Sequence, residues 1–363
     1  MQREGNGTVR PRMVFVGAGA VGGYVGGHLA RLGHDVTLVD PWPAHVEAIR
    51  ARGLALSGLT PEEDITVQVP AMHLTEVQSL SKQRPADIAF VAVKSYDTPW
   101  ATQLIAPYLS ETGFVVSLQN CINEETIAGI VGWGRTVGMI AATLSVELYE
   151  PGRIRRTVPL GGVGGRAVFG LGEVHGRITP RVAALGEMVA GIDTVKVTTN
   201  LWGERWSKLC VNAMRNGISA ATGLSGNECD RHERIRRFSL RIGGEAVRIG
   251  QALGYALEPI QKIEPEVLAR AAEGDAAALD TAEGAILATL ASGQRSDLQR
   301  PSMGQDMLKG RRTEIDHING FIVRKGAECG RAAPANAALT EAVKRVERGE
   351  VPARPENVAG INL

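Results

Sequence analysis

Six residues constrain this chain more than any others: Gly17-Ala18-Gly19-Ala20-Val21-Gly22, placed between an apolar, β-branched run (Met13 to Val16) and a stretch with helical spacing. The first glycine permits a tight turn, the second lets a diphosphate approach the backbone, and the third lets helix pack closely on strand. The helix start then points unpaired N–H groups and the positive end of its dipole at the phosphates. An acidic residue is expected about 20 positions further on. Asp40 closes the next apolar stretch, Asp35-Val36-Thr37-Leu38-Val39. A chain with 44 glycines produces such a motif by chance often enough that the motif alone is weak. Strand, turn, helix, second strand and terminal acid in this order are much stronger. Together they read as a Rossmann dinucleotide-binding unit, with Gly17, Gly19, Ala20, Val21, Gly22 and Asp40 at the cofactor.

The 363 residues are enough for two domains with sizeable cores. Forty basic and 39 acidic side chains leave a formal charge of +1, so no global field recruits nucleic acid or a membrane surface. Cys121, Cys210, Cys229 and Cys329 are scattered with no CxxC pair, and the seven histidines form no pair at ligand spacing. That pattern suits a reducing cytoplasm and gives no metal site. Residues 13–30 are mostly apolar, but their glycines and motif argue against a signal or membrane segment.

The first half alternates short apolar strands with helical stretches, as a parallel α/β sheet requires. Asp87-Ile88-Ala89-Phe90-Val91-Ala92-Val93 is a continuous apolar run, typical of a strand buried on both faces, and ends at Lys94. Phe114-Val115-Val116-Ser117-Leu118 follows and ends at Gln119-Asn120. Ligands of such sheets bind beyond the carboxyl ends of the strands, which puts Asp40, Lys94 and Asn120 on the binding edge. Residues 137–198 hold short strand-like pieces and many glycines, including Gly161-Gly162-Val163-Gly164-Gly165, and read as hairpins extending the sheet edge. From about Asn200 the spacing turns helical over 201–222, 230–253, 264–292 and 303–328. The expected fold is α/β: an N-terminal Rossmann doubly wound sheet followed by an all-helical C-terminal domain. The expected limits are a loose N-terminal extension at 1–12, the dinucleotide domain at 13–198, the helical domain at 199–349, and a tail at 350–363 interrupted by Pro352 and Pro355. Arg234, Arg237, Arg241 and Arg248 line one face of the second helical stretch, and the neutral overall balance makes that a solvated face rather than a phosphate grip.

Within Trp206-Ser207-Lys208-Leu209-Cys210-Val211-Asn212-Ala213-Met214-Arg215-Asn216, the residues Lys208, Asn212 and Asn216 recur at i, i+4 and i+8 on one helix face. Asparagine is disfavoured inside helices, so two of them aligned with a lysine mark either a functional face or a solvated polar one. A second stretch runs Arg300-Pro301-Ser302-Met303-Gly304-Gln305-Asp306, then Gly310-Arg311-Arg312-Thr313-Glu314-Ile315-Asp316-His317-Ile318-Asn319-Gly320. Met307, Ile315, Ile318 and Ile322 make a core-facing stripe with Glu314 beside its border. Taken alone, Glu314 reads as a salt-bridge partner on a charged helix.

The chain resembles the ketopantoate reductase (2-dehydropantoate 2-reductase) family over about residues 13–345. The resemblance is carried by GAGAVGG at 17–23, VK at 93–94, QN at 119–120, W-x-K-x-x-x-N-x-x-x-N at 206–216, P-S-M-x-Q-D from 301 and R-x-T-E-I-D-x-I-N-G up to 320. It implies Lys208 as general acid with Glu314 as its essential polar partner. Asn212, Asn216, Ser302 and, in uncertain register, Asn227 would hold substrate, and Lys94 and Asn120 would sit beside the nicotinamide and ribose. It also implies a homodimer. Three features depart from the family. A basic residue after the second strand serves NADPH in many members, whereas Asp40 followed by Pro41-Trp42-Pro43 favours NAD(H) over NADP(H). Cys121 replaces the glycine expected after Gln-Asn. The connection from Gly254 to Ser302 is longer than usual and Ala-rich over Ala271 to Leu290. Three functions fit: reduction of 2-dehydropantoate to pantoate, NAD-dependent oxidation of a different hydroxy acid on the same scaffold, or dinucleotide sensing without turnover. The last has no use for Lys208, Asn212 and Glu314.

Overall fold

Strand β1 (Arg12–Val16) is buried at every position, because both faces of the sheet it centres are covered. The computed structural model describes residues 10–162, 165–293, 297 and 300–361. The chain divides into two units, Met1–Leu201 and Trp202–Leu363. In the first unit β1 is followed by β2 (Asp35–Asp40), β3 (Leu54–Ser57), β4 (Ile65–Val67), β5 (Ala71–His73), β6 (Ala86–Val91), β7 (Leu109–Ser117), β8 (Thr136–Ala141), β9 (Val146–Glu150), β10 (Arg153–Arg156), β11 (Phe169–Glu173) and β12 (Val195–Val197). Its helices are α1 (Ala20–Arg31), α2 (Pro43–Arg52), α3 (Thr98–Ile105), α4 (Glu124–Val131) and α5 (Pro180–Ala190).

Eight strands form one sheet in the order β5-β2-β1-β6-β7-β8-β11-β12. All its pairs are parallel except β8 with β11. The chain works outward from β1 through β2 to β5, then returns to β6 on the other side of β1. That reversal opens a crevice beyond the carboxyl ends of β1 and β6, the ligand position of doubly wound sheets. Strand alternation sorts the core. Met13 and Phe15 face α1 and α5, while Val14 and Val16 face the layer of Ala101, Ile105 and Ile127 from α3 and α4.

Residues 137–198 depart from the expected simple edge extension. Strands β8, β11 and β12 do extend the main sheet, but β9 and β10 leave it for a second, four-stranded sheet in the order β4-β3-β10-β9. That sheet lies on a flat face of α1. A Cβ on Gly23 would fall 2.5 Å from Ile154 Cδ1, and one on Gly27 would fall 2.9 Å from Leu54 Cδ2. Arg156 locks the arrangement: it is fully buried, pairs with Asp193 at 2.7 Å, and donates to the Tyr24 hydroxyl of α1. Val163 and Gly164 of the expected glycine-rich hairpin lie outside the described residues, as do positions 1–9 of the expected loose extension. Arg12, at the end of that extension, already belongs to β1, and its N–H donates to Asp87.

The second unit is helical: α6 (Leu201–Thr222), which begins at the last residue of the first unit, then α7 (Gly226–Arg231), α8 (Glu233–Ala252), α9 (Pro265–Ala272), α10 (Ala276–Ala291), α11 (Ser302–Leu308), α12 (Asn319–Glu328), α13 (Pro334–Glu347) and α14 (Glu356–Ala359). Two stretches expected as continuous helices are broken where glycine takes a left-handed conformation: Gly274 (φ +97°) between α9 and α10, and Gly310 (φ +61°) after α11. Arg237 and Arg248 of the arginine face pair with Glu283, Glu266 and Glu273, carboxylates of the lengthened connection. Within the described part of the expected tail, the Arg354 N–H and Asn357 Nδ2 both donate to the Ala221 carbonyl in the last turn of α6, and Val358 is buried.

On α1, the imidazole of His28 packs edge-on against Tyr24, with a buried Nδ1 that has no hydrogen-bond partner. Burial, reinforced by the charges of Arg31 and Arg156, pushes it down to about 4. A histidine lowered on folding binds its proton more readily in the unfolded chain, so stability falls as pH drops from its ordinary value of about 6.5 toward about 4. Urea midpoints should fall over that window, and His28→Gln should flatten the slope. An unchanged slope contradicts this assignment.

Candidate cofactor and substrate sites

In the first unit, the turn from β1 into α1 has the stereochemistry that its glycines imply. Gly17 sits at φ +99°, and a Cβ there would strike the Ala92 carbonyl carbon at 2.8 Å. A Cβ on Gly22 would fall 2.1 Å from the Gly17 oxygen and 2.8 Å from Ala92 Cβ, so α1 packs here backbone against backbone. Gly19 differs, because a Cβ on it would meet nothing within 4 Å. It is also the N-cap of α1, with no side-chain cap and no acidic residue in the first turn. The N–H groups of Ala20, Val21 and Gly22 therefore have no intrahelical acceptor, and the space beside Gly19 is open. An open cradle lined by amide donors at the positive end of a helix suits a diphosphate.

Asp40 holds this turn in place. Its buried carboxylate accepts the Ala18 N–H at 2.8 Å and the Trp42 N–H at 2.9 Å. His45, fully buried on α2, lies beneath: Nε2 bonds the Ala18 carbonyl at 2.9 Å, and Nδ1 accepts the Gly152 N–H at 2.9 Å. Those partners require the neutral ring with its proton on Nε2. Arg50 donates to the Ala71 carbonyl and pairs with Glu47 and Glu76.

Lys94 and Asn120 follow the carboxyl ends of β6 and β7. Gln119 ties their loops together by donating to the Val93 carbonyl at 2.8 Å and to Thr98 Oγ1 at 2.9 Å. The Asn120 carbonyl accepts Asn123 Nδ2 at 2.9 Å. Cys121 sits at φ +68°, the left-handed region that favours glycine, and is buried. That conformation explains why a glycine suits this position, and its side chain is accommodated at a backbone cost of roughly 1–3 kcal/mol.

In the second unit, α6 spans 22 residues and carries Lys208, Asn212 and Asn216 along one face. Asn216 Nδ2 donates to Ser302 Oγ at 3.4 Å, which joins two of the expected substrate residues. Gly304 makes that approach feasible, since a Cβ there would fall 2.4 Å from Ser219 Oγ of α6. Asn212 Nδ2 is buried without a hydrogen-bond partner, an orphan donor of the kind that a ligand satisfies. Lys208 is half-buried. Glu314 is 3 % exposed and begins the turn Ile315–His317, its carbonyl accepting the His317 and Ile318 N–H groups. Burial holds the His317 imidazole below its ordinary value, against the opposing pull of the Glu314 charge. The Asn227 amide donates to Asp297 at 2.7 Å, and Asp297 also pairs with Arg231.

Sequence reasoning missed the buried residues that fix these helices relative to one another. Asn319 Nδ2 donates to the Ala213 carbonyl of α6 and to Asn336 Oδ1, while Asn336 Nδ2 donates to the Ile242 carbonyl and to Glu245. Glu245 in turn caps α13 by accepting the Ala335 and Asn336 N–H groups. The network fastens the segment carrying Glu314 to the helix carrying Lys208. Its signal was a lone glutamate between Ile242 and Ile249 on the apolar stripe of α8.

A doubly wound sheet with an open glycine cradle, followed in the chain by a helix bearing lysine and amides on one face, defines a nicotinamide-dinucleotide-dependent oxidoreductase. Known proteins give the family. The family model for ketopantoate reductase PanE/ApbA matches residues 13–171, and the model for its C-terminal region matches 200–347. A 2-dehydropantoate 2-reductase from Pyrococcus horikoshii is 30% identical over 93% of this chain and 97% of its own. The PanE/ApbA family ketopantoate reductase structure from Ralstonia eutropha JMP134 superposes with a TM-score of 0.74 at 29% identity, covering 93% of this chain and 99% of that one. D-mandelate dehydrogenase with NADH and anilino(oxo)acetate shares the fold, with a TM-score of 0.74 at 23% identity over 93% and 98% of the chains. The chain belongs to the ketopantoate reductase family. No helix among the described residues is long and apolar enough to cross a membrane, and the described residues hold no cluster able to bind a metal ion.

The glycine geometry separates two substitutions. Gly19→Ala should keep its melting temperature within a few degrees while weakening NADH binding at least about tenfold, as a Cβ enters the cradle. Gly22→Ala should destabilise the fold itself, because its Cβ has no room. Calorimetric titration and thermal melts of both variants check this; equal behaviour contradicts it.

Proposed function

We propose that the chain is an NADH-dependent reductase of 2-keto acids whose substrate is 2-dehydropantoate and whose product is pantoate. The observation that carries this reading is the lysine-and-amide face of α6, with Asn216 already bonded to Ser302 and an orphan donor on Asn212. When bound, the dinucleotide supplies hydride to the carbonyl carbon. Lys208 Nζ stabilises the charge growing on the carbonyl oxygen and delivers its proton there. Glu314 holds the ammonium in place, although its charge also makes the lysine more reluctant to release that proton. Asn212, Asn216, Ser302 and Asn227 orient the substrate's carboxylate and hydroxyl groups without adding charge. Lys94 and Asn120 hold the nicotinamide end of the cofactor, the turn from Gly17 to Gly22 holds the diphosphate, and Asp40 holds the adenosine ribose. A homodimer in a reducing cytoplasm completes the reading, supported by four free thiols; light scattering at micromolar protein checks the dimer.

The preference for NADH rests on charge. Asp40 ends β2, and neither His45 nor Arg50 is free to meet a 2′-phosphate, being committed to Ala18 and Gly152, and to Ala71, Glu47 and Glu76. A carboxylate repels a phosphate charge 4 Å away by about 1 kcal/mol in bulk water and about 4 kcal/mol at an effective dielectric of 20. The kcat/KM for NADH should therefore exceed that for NADPH by at least about tenfold. A clear NADPH preference overturns the role given to Asp40.

Lys208→Ala should bind dinucleotide normally and lose roughly 10²–10⁴ in kcat. Turnover within threefold of the unmodified protein removes the lysine from the mechanism. The second reading is NAD-dependent oxidation of a different hydroxy acid, for which the Asn227 amide, bonded to Asp297 of the lengthened connection, would present a carboxylate beside the substrate. Fold alone does not choose the acid. A panel of 2-keto and hydroxy acids, read at the nicotinamide absorbance, should show 2-dehydropantoate with the highest kcat/KM.

A further inference from the structure

Trp42 is one of few large apolar side chains left exposed, at 37 %. It lies two residues beyond Asp40 and between two prolines, Pro41 and Pro43, which limit its backbone freedom. Four contacts close a ring around it. The Trp42 N–H donates to Asp40, whose other oxygen accepts the Ala18 N–H of the glycine turn. The Ala18 carbonyl meets His45, and the His45 ring stacks under the Trp42 indole with centroids 5.8 Å apart and planes 18° from parallel. The Pro41 carbonyl is held in addition by His73 Nε2 at 2.9 Å, from the end of β5. The indole is therefore fixed beside the turn that receives the diphosphate, with one face on a buried imidazole and the rest of the ring partly at the surface.

We propose that Trp42 is the stacking platform for the adenine base of the dinucleotide. The acid ending the second strand of such a sheet meets the adenosine ribose, so the adjoining base lies within reach of a ring pinned to that same carboxylate. Every purine has a π-face, and an aromatic side chain needs no hydrogen-bond code to hold it. Trp42 thus sets affinity through the adenosine half of the cofactor, while Asp40 sets the choice at the 2′ position. The inference rests on the dinucleotide-binding part of the proposed function and on none of the keto-acid chemistry.

The test is binding, with NADH and ADP-ribose as probes in calorimetric titrations of the full chain. Trp42→Ala should raise both dissociation constants about 5- to 100-fold, the range that losses of base–aromatic stacking give. Trp42→Phe should restore them to within about threefold. ADP-ribose should also quench tryptophan emission of the unmodified protein, and Trp42→Phe should remove that quench. Dissociation constants of Trp42→Ala within twofold of the original, Trp42→Phe as weak as Trp42→Ala, or a quench persisting in Trp42→Phe each overturn the assignment. An unmodified protein that binds neither probe overturns the dinucleotide reading with it. NADH binding without turnover of any keto acid strikes only at the chemistry assigned to Lys208.

Discussion

The two hydrogen bonds accepted by the Asp40 carboxylate set the geometry on which the rest depends. One oxygen holds Ala18 inside the glycine turn, and the other holds Trp42 at the start of α2. Because Asp40 ends β2 beside β1, these bonds lock the position of the α1 N-terminus to the sheet. His45 repeats the tie from below, through the Ala18 carbonyl. A cradle of unpaired amides is useful only if it is rigid, since a loose turn would lose binding energy to ordering. The same residue serves the fold and the proposed selectivity: it clamps the turn, and under the proposed function its charge disfavours a 2′-phosphate.

The helical unit solves a related problem by different means. The side chains proposed to act there are long or polar and come from separate segments, so their spacing depends on how closely the helices approach. Two glycines set that closeness. Gly304 lets α11 touch α6 at Ser219, and a Cβ on Gly217 would fall 3.0 Å from Ile315 Cδ1, next to Glu314. The buried bonds of Asn319, Asn336 and Glu245 then fix register as well as distance. An unsatisfied buried amide or carboxylate is costly, so such a network admits few alternative alignments.

Local signals were legible and long-range pairings were not. The β1-turn-α1-β2 unit showed in the sequence because its glycines, apolar runs and terminal acid lie within 29 consecutive residues, Arg12 to Asp40. The polar face of α6 showed because helical spacing brings Lys208, Asn212 and Asn216 into line without reference to any neighbour. The second sheet did not show: β10 pairs with β3 across almost a hundred residues, as in the match of Ile154 with Leu56, and no local pattern encodes that choice. Periodicity ran straight through the breaks at Gly274 and Gly310, because the apolar spacing resumes on the far side. The packed chain end was hidden for another reason. Pro352 and Pro355 do interrupt regular structure, but the Ala221 carbonyl, left open at the end of α6, gives that irregular segment a partner.

This protein moves hydride between a nicotinamide and the carbonyl carbon of a keto acid. Mass spectrometry of the product formed from 2-dehydropantoate and NADH dideuterated at C4 tests it most directly. The expected result is pantoate carrying one deuterium, located at carbon 2. Pantoate without label, or no product while NADH stays bound, contradicts the claim.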